Sequence, residues 1–172
     1  MKTSALLALL ALFVVGCQKP SPEAGEPQAA RPAAKAEVGK QAPDFSFETL
    51  DGKAVRLADL KGKPVVLNFW ASWCPYCVKE APDLEALYQQ YRKSHDLQML
   101  GVAGQDTTEA LKGKADDLKL TYPVGISPQT AMAYGVSGIP HTFFIDREGK
   151  IVSSMAGARP KAELEAETKK II

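Results

Sequence analysis

Cys74 and Cys77 stand two residues apart, with Pro75 and Tyr76 between them. Two thiols at that spacing can open and close a disulfide. The run Pro64 to Trp70 before them is apolar and of strand length. After Cys77, Leu84, Leu87, Tyr88 and Tyr91 recur at helical spacing. A Cys-X-X-Cys that opens a helix puts both sulfurs on one face, within reach of a small ring. The unpaired N–H groups of the first turn, and the helix dipole, favour an anion there. Cys74 is therefore expected to be the acidic, attacking thiol. Cys77, one turn further in and more buried, is expected to be the resolving thiol, with exchange passing through a mixed disulfide on Cys74.

Two other readings of the pair remain. A structural disulfide is one, but a loop this small restricts the unfolded chain little. A zinc site is the other, but it needs two more ligands, and the chain has no second Cys pair and only His95 and His141 as histidines. No metal is expected, and no cofactor beyond the pair's own disulfide.

The third cysteine is Cys17. It follows a short basic start at Lys2 and an apolar run from Ala5 to Val15, too short to span a bilayer but suited to a signal peptide. Val14-Val15-Gly16-Cys17 resembles the lipobox of bacterial lipoproteins, which implies cleavage before Cys17 and acylation of its thiol. That gives the odd cysteine a role and leaves Cys74 and Cys77 as a closed pair. Two or three acyl chains hold a protein at a membrane, where one does not. Gln18 rather than Asp after the lipidated position leans toward the outer over the inner membrane.

Residues 1–16 thus read as a signal peptide and 17–37 as a lipidated, Pro- and Ala-rich tether with too few large apolar side chains to fold. Residues 38–172 read as one domain. A net charge of +1 gives no reason to expect a nucleic-acid partner. Phe45 to Glu48 and Ala54 to Arg56 flank the turn residues Asp51-Gly52, which predicts a hairpin. Leu57 to Leu60 reads as a short helical turn, Pro64 to Trp70 as a central strand covered on both faces, and Leu97 to Val102 as the next strand. Pro82 is expected to kink the helix after Cys77. Thr108 to Leu118 and Pro128 to Tyr134 follow as helices, the second capped by Ser127 with Pro128 at its first position. Thr142 to Ile145 and Ile151 to Met155 are strands, and a helix over 161–171 ends the chain. The order β-β-β-α-β-α-α-β-β-α implies an α/β fold, a mixed sheet with helices on both faces.

Three segments together resemble the TlpA/ResA-like branch of thioredoxin-like proteins: "VGKQAPDFSFETLDGKAVRLADLKGK", "VVLNFWASWCPYCVKEAPDL" and "YGVSGIPHTFFIDREGKIV". The resemblance implies a thioredoxin-like fold with an N-terminal hairpin extension. It implies that Pro140 is cis beside the disulfide, where X–Pro bonds are otherwise cis in only about 5–6% of cases, and that Ile139 offers its backbone to an extended substrate segment. Trp73, with Pro75 and Tyr76, would shape the docking surface; a core aromatic is the other role open to Trp73. Asn68 stands where thioredoxin has a buried, titratable Asp, a replacement common in this branch. Some members carry a buried Glu near the disulfide, and Gln105 takes that place here, without a proton to exchange. Asp106 reads as a cap for the helix that follows. The Pro75-Tyr76 dipeptide matches glutaredoxins, whose potentials lie near about −200 to −230 mV against about −270 mV for thioredoxin. His141 could add positive charge near Cys74 and push the same way.

The activity expected is thiol–disulfide exchange outside the bacterial cytoplasm. Its partners would be exported protein thiols or disulfides, apocytochrome c being the substrate the resemblance implies, and a membrane electron donor or acceptor. A disulfide-donating oxidase, and a Cu(I)-binding module using Cys74, Cys77 and His141, are the alternatives. A peroxidase is a further one, since the N-terminal hairpin resembles peroxiredoxins too, but the WCxxC placement argues against it.

Overall fold

The structure is a computed structural model, and it describes residues 36–172. The signal-peptide and lipobox readings, Cys17 and nearly all of the tether lie outside those residues. Among the described residues, seven strands, β1 (Ser46–Glu48), β2 (Ala54–Arg56), β3 (Val65–Trp70), β4 (Gln98–Ala103), β5 (Val124–Ile126), β6 (His141–Ile145) and β7 (Ile151–Ala156), combine with four helices, α1 (Pro75–Tyr91), α2 (Thr108–Asp117), α3 (Pro128–Ala133) and α4 (Lys161–Thr168). A 3-10 turn covers Leu57–Leu60.

Five strands form one mixed sheet in the order β5-β4-β3-β6-β7. β3 runs parallel to β4 and antiparallel to β6. Every residue of β3 is buried, as an apolar run interrupted only by Asn68 requires of a strand covered on both faces. Its side chains alternate between two cores. Val66 and Trp70 pack with Cys77, Leu84 and Leu87 of α1, Leu111 of α2 and Leu164 of α4. Val65, Leu67 and Phe69 pack with Phe45, Phe47, Tyr134 and Phe143 on the other face. Burying one such side chain stabilises the fold by about 1.5–3 kcal/mol, and both cores converge on β3. The strand that aims the redox loop is therefore held from both sides.

β1 and β2 form a separate antiparallel pair. It joins the domain through a bridge from Thr49 to Gly125 and through Phe45 and Phe47. The Tyr134 hydroxyl donates to the Pro43 carbonyl (2.9 Å), anchoring the same segment.

The fold departs from the sequence-based expectation at one strand. β5 was not expected: Pro123 and Gly125 punctuate the stretch as loop, and the strand has only three residues. It forms because it completes the parallel edge on β4 and because Gly125 lets β1 come close. A Cβ there would meet the Phe47 ring at 2.6 Å and the Glu48 carbonyl more closely still. The helix α1 runs through Pro82 to Tyr91. Pro82 lies on the exposed side of the helix, while Ala81, Leu84 and Leu87 hold the buried face in the core.

Candidate active site

The C-terminal end of β3 delivers the chain into a turn closed by the Cys74 N–H donating to the Ala71 carbonyl (3.2 Å). Cys74 is the N-cap of α1, with extended backbone, and Pro75 takes the first helical position, where a missing N–H costs nothing. Cys74 and Cys77 form a disulfide with their Cα atoms 5.3 Å apart. The Cys77 N–H donates to the Cys74 sulfur (3.2 Å). Cys74 is 4% exposed and Cys77 2%, so the expected contrast in burial is slight while the bond is closed. The asymmetry lies in the hydrogen bond: a first-turn N–H points at the sulfur of Cys74, the arrangement that favours a thiolate at that atom.

The Ile139–Pro140 bond is cis, and the Ile139 carbonyl oxygen lies 3.9 Å from the Cys74 sulfur. Pro140 is buried and Ile139 half-buried. Trp73 and Tyr76, at 63% and 69% exposure, flank the pair, which excludes the core role for Trp73. Pro75 is exposed beside them. Asn68 is buried on β3 and donates from Nδ2 to the Thr142 hydroxyl (2.9 Å), a neutral pair across two neighbouring strands.

Three expectations need correction. Gln105 is exposed, not buried near the disulfide; its backbone carbonyl accepts the Trp73 indole N–H (3.0 Å). Asp106 does not cap α2, because Thr107 does, accepting the Ala110 N–H (3.2 Å). Asp106 instead accepts from the Ser72 backbone N–H (2.6 Å) and the Ser72 hydroxyl (2.9 Å). His141 follows Pro140, stacked on Phe143 with centroids 4.4 Å apart. Burial holds its pKa below the usual imidazole value, which disfavours the charged form that the expectation needs.

One residue escaped the sequence reading. Glu80 lies three residues after Cys77, on the same face of α1, and is only 3% exposed. One carboxylate oxygen accepts the Arg159 backbone N–H (2.8 Å); the other has no partner. Burial pushes its pKa up, with Asp83 adding to the effect and the Arg159 amide opposing it. The available signal was its place beside Ala81 and before Leu84, on the apolar stripe. Among the described residues, no group of three or more His, Cys, Asp or Glu side chains is placed to hold a metal ion.

Residues 38–154 match the AhpC/TSA family. The chain belongs to that family. Within it, the chain is 39% identical over 139 residues to the thiol-disulfide oxidoreductase ResA of Bacillus thuringiensis (strain Al Hakam), covering 80% of each. Among solved structures, it resembles a candidate thiol:disulfide interchange protein DsbE from Chlorobium tepidum, with a TM-score of 0.73 and 32% identity over 80% of this chain and 99% of that one. A secreted Mycobacterium tuberculosis disulfide oxidoreductase homologous to E. coli DsbE is similar too, with a TM-score of 0.68 and 25% identity over 73% and 95% of the two chains. The fold is thioredoxin-like, and the chain carries the Cys pair such enzymes use. It is a thiol-disulfide oxidoreductase of the ResA/DsbE type.

Proposed function

We propose that the reduced protein donates electrons to disulfides of exported proteins. Cys74 as thiolate attacks one partner sulfur, forming a mixed disulfide and expelling the partner's other sulfur as a thiol. Cys77 then attacks the Cys74 sulfur, restores the intramolecular bond and releases the second partner thiol. Two electrons leave the pair, and a membrane donor returns them. The observation that supports this order is the Cys77 N–H directed at the Cys74 sulfur, beside the Ile139 carbonyl. Trp73 and Tyr76 supply exposed aromatic surface for the partner. Apocytochrome c is the substrate class the family resemblance suggests, and a lipid on Cys17 would keep the enzyme at the membrane that holds its donor.

Two experiments test the reading. Cys74→Ser is expected to reduce insulin-disulfide turnover about a thousandfold or more, as loss of a nucleophile does, whereas Cys77→Ser accumulates the mixed disulfide. The reduction potential is expected nearer thioredoxin's about −270 mV than the about −120 mV of DsbA. A potential close to the latter would turn the assignment toward the disulfide-donating oxidase. The copper alternative, Cu(I) held by Cys74, Cys77 and His141, is tested by metal analysis of the reduced protein.

A further inference from the structure

Both corner residues of the turn that delivers Cys74 are tied to one short segment after β4. Ser72 and Trp73 occupy the corners, between Ala71 and Cys74. Ser72 donates twice to the Asp106 carboxylate, from its backbone N–H (2.6 Å) and its hydroxyl (2.9 Å). Trp73 donates its indole N–H to the Gln105 carbonyl (3.0 Å). The carboxylate is itself fixed, because the Thr107 N–H also donates to it (2.9 Å) at the capped start of α2.

An exposed turn left free would sample many conformations, and ordering it on partner binding costs about 1–2 kcal/mol per residue. Hydrogen bonds to an ionised carboxylate are the short, strong kind. The Trp73 ring lies mostly in solvent, so the bond to Gln105, rather than burial, sets its direction.

We infer that Gln105 and Asp106 form a two-point clamp on the redox turn, with Asp106 a positioning residue that fixes how Trp73 and the Cys74 sulfur meet an incoming protein disulfide. Asp suits the task because its short side chain can accept from the next residue's N–H and from Ser72 at once. The clamp rests on Cys74 being the sulfur that meets the partner.

The test is steady-state reduction of a disulfide-bridged peptide, with dithiothreitol as electron source, by the full chain and its variants. Asp106→Ala is expected to raise KM about tenfold, and Ser72→Ala to raise it less, with kcat falling less than about twofold in each. Ser72→Thr keeps the hydroxyl donor and is expected to restore the parental KM. In time-resolved fluorescence, Asp106→Ala gains a fast depolarising component from Trp73 that buried Trp70 does not supply. If Asp106→Ala fails to fold, Ser72→Ala against Ser72→Thr decides the same point. KM values indistinguishable from the parent in the folded variants overturn the clamp, as does a loss confined to kcat. Cys74→Ser separates the premise from the proposal. If that variant exchanges like the parent, the premise fails; if exchange requires Cys74 yet KM ignores Ser72 and Asp106, the clamp alone fails.

Discussion

At the residue scale, Cys74 and Glu80 show what a linear pattern reveals and what it hides. The Cys pair was legible because its chemistry depends on local spacing and on a helix start. The cis bond at Pro140 was expected on resemblance, as no local signal separates it from a trans turn. Glu80 was harder to read, because a lone Glu on a helix suggests a solvated position despite its place on the apolar stripe; in the fold the Arg159 N–H, from the loop between β7 and α4, reaches its carboxylate. Its raised pKa has a consequence for stability. The native chain keeps the Glu80 proton at pH values where the unfolded chain has lost it. The stability tied to that proton is complete below the ordinary carboxylate value and is lost as pH rises through the native one. Glu80→Gln keeps the acceptor for the Arg159 N–H and cannot ionise. It is expected to be about 1 kcal/mol more stable than the parent near pH 8, with the difference closing near about pH 4. Urea unfolding at the two pH values measures it; a difference that is constant with pH would remove ionisation as the cause.

At the element scale, the strands and helices with strong periodicity were legible and the short edge strand was not. β3 announces itself by its apolar run, and α1 by Leu84, Leu87 and Tyr91. β5 depends on contacts that no local pattern encodes, namely the close approach of β1 at Gly125 and the pairing with β4. Its neighbour Gly101 belongs to the same arrangement. A Cβ at Gly101 would stand 2.9 Å from the Trp70 indole nitrogen and 3.1 Å from the Tyr122 ring. Both are side chains, which can yield by small shifts. At Gly125 the nearest obstacle is backbone. Gly101→Ala is therefore expected to cost about 1–3 kcal/mol and Gly125→Ala more, read as falling denaturation midpoints with little change in slope. Equal losses at the two positions would mean that β1 moves aside freely. The Gln105–Asp106 segment is a second case of the same kind, because its hydrogen bonds reach more than thirty residues back to Ser72 and Trp73.

At the scale of the whole molecule, the described domain is a two-core sheet that presents one redox turn beside a cis-proline loop. No helix among the described residues is long and apolar enough to cross a membrane, and membrane attachment is expected to rest on Cys17. Cys17→Ala expressed in a bacterial host should lose incorporation of labelled fatty acid and leave the membrane fraction, while the reduction potential of the released protein matches the parent's. Persistence of the variant in membranes would assign the attachment to something other than the acyl chains. The exchange mechanism and the clamp both rest on the inequality of the two sulfurs. Site-resolved alkylation of the reduced protein across pH, read by mass spectrometry, measures it directly. Cys74 should be modified first, with a midpoint below the about 8.5 of a free cysteine, and Cys77 only slowly. Faster modification of Cys77, or a Cys74 midpoint at or above that of a free thiol, would contradict the account.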